Sequence, residues 1–363
     1  MTSRTKVAII SPNQGAYGGL EAYVLALTRF LSNRKDIEVR LVFKKVQGFK
    51  LSEGLQAILK QSTIQAEFVD RASPKLAKVV FWADVVHVQN ASPDVVLLAK
   101  ILFRQVVVTI HFNFLMPFSL RKAIWYFAAI VAERRLYVSN FVLRTWEGQT
   151  KRPNSLMAHS ICELPNDQVP SVKRNGFSFM GRWVENKGVD ILVKAYQQAR
   201  FDKTKWPLRL MGTGPLETKI RQQINGTAGT HIDVLGFVSD ERKSDVICHS
   251  KWVVVPPHTN EDLGLVPFEA RSAGVPCIVS RDGGLPEAAG RDALLCVPGS
   301  IDSLREALER AAAMSEEEYH MRSCRTKTEL RDQLTPMEFY PCLYRSLVEG
   351  SRAESGKVRQ TIL

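Results

Sequence analysis

The sequence has no apolar run long enough to cross a bilayer. Its longest candidate, AIWYFAAIVA at 123–132, falls well short of the roughly 20 residues that a spanning helix needs. It also does not open on a secretory leader. MTSRTKVAIISPNQG passes straight into a strand-like run, with no long apolar core and no small-residue cleavage site. Cysteine is scarce: Cys162, Cys248, Cys277, Cys296, Cys324 and Cys342 are the six in the chain. None forms a C-x-x-C pair and none has zinc-ligand spacing, which argues against a disulfide scaffold or a zinc module. Most lie in apolar runs such as VPCIVS and ALLCVP, and they read as reduced core residues of a cytosolic protein.

Acidic residues are sparse in one half only. Residues 1–170 carry 22 Lys and Arg against 12 Asp and Glu, while 171–363 carry 27 against 25. The net charge of +12 therefore belongs mostly to the first half. Such a half suits an anionic partner, whether nucleic acid, phospholipid or a phosphate-bearing substrate, or else serves solubility. The length of 363 residues suits two domains.

Short β-branched runs alternate with amphipathic stretches along the whole chain. KVAIISP, EVRLVFK, VVHVQ, QVVVTIHF, RLYVS and SLMAH read as six strands. FSFMG, LRLMG, IDVLGF, WVVVPP, PCIVS and ALLCV read as six more. Continuous apolar strands between helices indicate parallel sheets covered on both faces. The fold class is α/β, with two Rossmann-like halves. ELPNDQVPSVKRN (163–175) has two prolines and no periodicity, and reads as the linker. The expected parts are 1–168, 169–335 and a helical tail at 336–363 that packs back toward the first domain.

In open α/β sheets ligands bind beyond the carboxyl ends of strands, so the residues there carry the functional reading. Gly18 and Gly19 precede a helix after the first strand, where backbone can approach a phosphate, although glycine there also serves a simple turn. His111 ends VVVTIHFNF, a place where a lone histidine is more often a hydrogen-bonded core residue than a catalyst. Arg182 and Lys187 flank a loop whose Gly188 starts a helix, which makes an anion site of high field. The alternative is two surface charges. Gly212 lies in the MGTGP turn, where a purely structural role is equally good.

The stretch TNEDLGLVPFEARSAGVP (259–276) has two glutamates, Glu261 and Glu269, around a helix start near Leu265 or Val266. Pro267 suits the first turn, and Gly274 and Pro276 stop the helix. Glu261 then falls in the loop and Glu269 in the first turn or so, beside the amides around Gly264 and Leu265. Carboxylates accept from hydroxyls, so the pair suits a ligand with an anionic centre and hydroxyls on either side. A carboxylate complementing the helix dipole would explain Glu269 but not Glu261.

Together GGLE (18–21), GRWVENKG (181–188), MGTGP (211–215), LGFVSD (235–240), E-x7-E (261–269), EARSAGVP (269–276) and GGLPE (283–287) resemble glycosyltransferase family 4. These are retaining nucleotide-sugar transferases of the GT-B fold, two Rossmann-like domains facing across a cleft. The resemblance is dense in the second half and sparse in the first. It implies that Arg182 and Lys187 neutralise the donor diphosphate, with Gly18, Gly19 and the helix behind them on the same phosphates. Glu269 would hold the ribose, and Glu261 the transferred sugar with the amides of Gly264 and Leu265. Phe237 and Val238 would flank the base, Gly212 would line the donor site, and His111 would reach the donor sugar. The sequence has no D-x-D, and two cations can neutralise a diphosphate. No metal and no cofactor are therefore expected. Asp262, His258 and the MAHSICEL segment depart from the family pattern, which bears on donor geometry.

The expected partners are a UDP- or GDP-linked sugar and a glycan or lipid-linked acceptor, in cell-surface polysaccharide or lipopolysaccharide synthesis. SLRKAIWYFAAIVAERR (119–135) has basic ends and an aromatic middle. It suits either an anionic membrane surface or a core helix. A cytoplasmic location on the inner face of the membrane follows. No nucleic-acid motif is present. The rival readings are a nucleotide-sugar epimerase of the same fold and a non-catalytic anion- or membrane-binding protein.

Overall fold

A computed structural model describes residues 4–62, 64–117, 119–159, 173–226, 229, 231–259 and 261–362, the last helix by its backbone alone from residue 352. The chain folds as two compact units. One is Met1–Ile161 with Leu334–Leu363, and the other is Cys162–Gln333. Most of the expected linker, up to residue 172, lies outside the described residues, as does Cys162.

The first unit runs β1 (Thr5–Asn13), α1 (Gly19–Ser32), β2 (Ile37–Lys45), α2 (Glu53–Ser62), β3 (Ala66–Val69), α3 (Pro74–Trp82), β4 (Val85–Gln89), α4 (Pro93–Ile101), β5 (Gln105–Ile110), α5 (Leu120–Ile130), β6 (Arg134–Tyr137), α6 (Asn140–Glu147) and β7 (Ser155–Met157). The sheet order is β3-β2-β1-β4-β5-β6-β7, with parallel pairing such as Val7 to Val85 and Ile10 to Val88. Every residue of β4 is buried, as expected of a central parallel strand covered on both faces.

The first sheet has seven strands where the apolar runs suggest six. The extra one, β3, lies at the edge, and in AEFV only Val69 is buried. So short an edge strand carries almost no core signal.

The second unit runs β8 (Phe177–Met180), α7 (Val189–Gln198), β9 (Leu208–Met211), α8 (Glu217–Asn225), β10 (Ile232–Gly236), α9 (Asp240–His249), β11 (Trp252–Val255), α10 (Leu265–Ser272), β12 (Cys277–Ser280), α11 (Leu285–Ala289), β13 (Leu294–Cys296), α12 (Ile301–Ala313) and α13 (Glu316–Gln333). Its order is β10-β9-β8-β11-β12-β13, again parallel. Phe177, Phe179, Trp183, Leu208, Leu210 and Trp252 form the centre of its largest core cluster.

The final helix, α14 (Phe339–Ile362), belongs to the first unit. Tyr340 and Tyr344 are fully buried in that unit's core, beside Tyr23, Val7 and Val85. Buried polar groups need partners, and these have them. The Tyr23 hydroxyl lies 2.8 Å from that of Tyr340. The Tyr344 hydroxyl lies 2.7 Å from His87 Nδ1, and His87 Nε2 lies 2.7 Å from Thr109 Oγ1.

One open reading and one expectation are decided. Of the two readings of α5, the core helix is not the one seen: only Ala128 and Ala129 are buried, while Leu120, Ile124 and Phe127 are exposed. Of the five described cysteines, Cys277 and Cys296 are core residues, whereas Cys324 and Cys342 are exposed. The last two lie on helices whose outer faces face solvent. Among the described residues no helix is long and apolar enough to cross a membrane.

Candidate active site

In the second unit the chemistry gathers at the carboxyl ends of the strands. Arg182 follows β8 after Gly181 and is exposed, with no carboxylate paired to it among the described residues. A 3-10 turn, Glu185–Lys187, then brings the chain to Gly188, the cap from which α7 starts. Lys187 does not stand free as a second cation. Its Nζ lies 2.6 Å from Glu261 Oε2, both side chains being half-buried. The structure thus joins two predicted residues that are 74 positions apart.

Glu261 is held by its backbone. Gly284 N–H donates to Glu261 O at 2.7 Å. Gly283 has φ +57°, and a Cβ there would lie 2.1 Å from Glu261 O. The turn after β12 therefore seats the Glu261 loop by an approach that only glycine permits. Gly212 is likewise required by the chain itself. Its φ is +112°, and a Cβ would lie 1.9 Å from Gly181 O. Its role is thus accounted for by the packing of the β9 turn onto the β8 loop.

Helix α10 begins at Leu265, with Gly264 (φ +84°), which has no side chain to cap it, at its N-terminus. A helix start of this kind can meet an anion or a hydroxyl oxygen. Glu269 is the fifth residue of α10, just past its first turn, and the helix starts at Leu265 as expected. Its Oε1 lies 3.1 Å from Lys243 Nζ of α9, which also reaches Asp240 at 2.8 Å. Its Oε2 is buried with no hydrogen-bond partner. Burial raises the Glu269 pKa above the usual carboxylate range, and the Lys243 ammonium opposes that shift.

Beyond β10, Phe237 is 86 % exposed, while Val238 packs on the core cluster of Met211 and Val253. The two adjacent residues named from the family resemblance thus differ: one ring is open and one side chain is half-buried against the core. Among the described residues no group of three or more His, Cys, Asp or Glu is placed to hold a metal.

In the first unit, Gly18 caps α1 without a side-chain bond. A Cβ there would meet only Glu21 Oε2, at 3.4 Å, so packing does not demand glycine. The helix start is already occupied by a carboxylate. Glu21 is buried, and its Oε1 accepts from Asn13 Nδ2 at 2.6 Å. Burial raises its pKa, and the amides of Glu21 and Gly18 and the Asn13 side chain oppose the rise. Gly19 is the first residue of the helix behind them.

His111 directly follows β5. Its N–H donates to Asn90 Oδ1 at 2.9 Å, and its Nε2 lies 2.9 Å from Gln89 Oε1. Tyr23 meets its ring edge-on at 5.1 Å. Burial depresses the imidazole pKa to about 3, so the ring is neutral near pH 7. With Gln89 Oε1 accepting the hydrogen bond, the hydrogen lies on Nε2 and Nδ1 is left as an acceptor.

Local pattern did not single out Lys243, Glu21, Gln89 or His87. His87, inside VVHVQ, offered the clearest signal: an imidazole among the valines of a buried strand.

The fold defines the class. The crystal structure of Anabaena Alr3699/HepE in complex with UDP superposes with a TM-score of 0.74 at 15 % identity, covering 97 % of this chain and all of that one. The chain has the fold of GT-B glycosyltransferases, two Rossmann-like α/β units. Within it, residues 163–328 match the family model described as glycosyl transferases group 1. Curated relatives align over parts of their length. An exopolysaccharide phosphotransferase, SCO2592, of Streptomyces coelicolor is 31 % identical over 163 residues, 42 % of this chain and 17 % of that protein. A GDP-mannose-dependent monoacylated alpha-(1-6)-phosphatidylinositol monomannoside mannosyltransferase of Corynebacterium glutamicum is 28 % identical over 158 residues, 40 % and 41 % of the two chains. The chain thus spans well under half of these relatives.

Proposed function

We propose that the protein is a retaining, metal-independent glycosyltransferase of family 4. It moves a hexose from a UDP- or GDP-linked donor to a glycan or lipid-linked acceptor in cell-surface polysaccharide synthesis. The observation that carries the reading is the buried, unpartnered Oε2 of Glu269 in the helix α10 that starts at Gly264. An orphaned buried carboxylate oxygen costs free energy, and ribose hydroxyls would satisfy it. Relatives and solved neighbours whose names carry GDP-mannose or UDP support a nucleotide-sugar donor.

Cleavage of the glycosyl–phosphate bond leaves negative charge on the diphosphate and positive charge on the sugar ring. Arg182 supplies an exposed cation for the leaving group. Lys187 supplies a second, shared with Glu261. Glu261 and the α10 amides would orient the transferred sugar, and Phe237 would stack on the base. Neutral His111 would accept a hydrogen bond from the sugar at Nδ1 rather than carry charge to it. With retention, the leaving phosphate takes the acceptor proton as the acceptor oxygen bonds to the same face of the sugar carbon.

Peripheral membrane contact rests on α5. Leu120, Ile124 and Phe127 form an exposed stripe at helical spacing, continued by Leu115 and Met116 and flanked by Arg121 and Lys122. An apolar stripe with basic neighbours suits an anionic lipid surface, which is where a lipid-linked acceptor would be met.

The test is a thermal-shift and sugar-release screen against UDP-, GDP- and ADP-sugars with EDTA present. One donor should raise the melting temperature and be slowly hydrolysed, and Glu269→Ala should abolish both effects. Interconversion of free nucleotide sugars without transfer would make the protein an epimerase. Binding to no nucleotide would overturn the proposal.

A further inference from the structure

We infer that Lys243 is a positioning residue of the nucleotide site, one that fixes Glu269 so that a single carboxylate oxygen is presented to the ribose; this rests on the donor reading above. Lys243 stands on the second turn of α9, in SDERKSDVICHS. It is not a solvated surface lysine, since its side chain is 21 % exposed. Burying an ammonium is unfavourable unless it is paired. Here it is paired twice, with Asp240 on its own helix and with Glu269 on α10.

The two pairs are unequal. Asp240 is 78 % exposed and lies one turn away on the same helix, so it adds little. Glu269 is largely buried on a different helix, and Lys243 is the only partner of its carboxylate among the described residues. Two consequences follow. The ammonium favours the ionised form of a carboxylate that burial would otherwise neutralise. It also ties down Oε1, which sets the side-chain rotation and leaves Oε2 as the free acceptor.

Helix α9 begins just after Phe237 and Val238. The Lys243–Glu269 contact therefore also links the segment assigned to the base with the helix assigned to the ribose. The nucleoside is the part of the donor that Lys243 governs. The diphosphate and the sugar belong to Arg182, Lys187 and Glu261, on other loops.

The experiment compares the affinity of the full chain for the nucleoside diphosphate found in the donor screen with that for its 2′,3′-dideoxy analogue. Wild type, Lys243→Met, Lys243→Arg and Glu269→Ala are titrated by calorimetry, with melting temperatures confirming that each is folded. Wild type should prefer the natural nucleotide by about tenfold or more, the size of a lost hydrogen bond to a charged group. Lys243→Met should bind the dideoxy analogue as wild type does while losing most of its preference for the natural ligand. Lys243→Arg should restore the preference. Because a general loosening of the fold would weaken both ligands equally, the ratio isolates positioning. A Lys243→Met protein that keeps the wild-type ratio overturns the inference. A Glu269→Ala protein that keeps it overturns the ribose reading beneath.

Discussion

The β1–α1 turn and the β8–α7 turn occupy the same place in their sheets. Each leads out of the strand from which the strand order runs in both directions, the place where open α/β sheets bind ligands. Their chemistry is opposite in sign. At α1 the helix start is taken by the buried carboxylate of Glu21, held by Asn13. At α7 it is preceded by exposed Arg182 and by Lys187. One topology therefore serves two purposes. The second unit brings positive charge to the slot, whereas the first places a buried carboxyl group, held by Asn13, at its own. The basic character of the first half lies elsewhere, in part beside the exposed stripe of α5.

The largest test of this contrast is Arg182→Ala. It should lower kcat by a factor corresponding to about 2.7–4 kcal/mol of barrier, as for other lost donors to a developing anion. Its melting temperature should stay near that of wild type, because the side chain is exposed. Full activity in that variant would end the assignment of the phosphates to the α7 slot.

The first unit should respond to acid instead. Burial holds the His87 pKa at about 3, well below its ordinary value. The unfolded chain thus binds a proton that the native one refuses. Stability is present above the unfolded pKa and is lost as pH falls from about 6.5 toward 3, by roughly 2 kcal/mol between pH 7 and pH 5. Melting temperature against pH would show the slope; His111, held at about 3 by burial as well, contributes in the same direction, so His87→Gln should remove about half of it. Imidazole carbon shifts should show neither His87 nor His111 titrating between pH 5 and 8.

Tyr344→Phe should follow in size. It removes the hydroxyl 2.7 Å from His87 Nδ1 and strands a buried ring nitrogen, at a cost of about 1–3 kcal/mol. Affinity for the nucleoside diphosphate alone should be unchanged, because the residues proposed for it, Glu269, Arg182 and Lys187, lie in the second unit. The smallest effect is expected for the Lys187–Glu261 pair. A double-mutant cycle with Lys187→Met and Glu261→Gln should give a coupling in stability under about 1 kcal/mol, because both groups are partly solvated. Coupling in kcat should be larger if both touch the donor.

The strands were legible because they are unbroken apolar runs, and twelve of them appear where those runs fall. β3 was not, since an edge strand with one buried residue resembles a loop. The positions of the candidate site residues at strand ends were legible for a related reason: they stand at fixed offsets from apolar runs. What they pair with is not encoded locally. Lys243 and Glu269 are 26 residues apart on separate helices, and Lys187 and Glu261 are further apart still. Only the folded sheet order brings them together. The helix α5 pattern was ambiguous because an apolar stripe reads the same whether it faces a core or a lipid surface.

The return of α14 to the first unit also has a consequence for the order of synthesis. His87 finds its partner in Tyr344, 257 residues later in the chain. Translation at about 5–20 residues per second makes that a wait of tens of seconds. Throughout it the first unit has a buried histidine without its hydroxyl and a hydrophobic cluster without Tyr340. The second unit is continuous in sequence and can close before the first. The half that emerges first from the ribosome is thus the half that is finished last, and it is the one that a chaperone would have most time to hold.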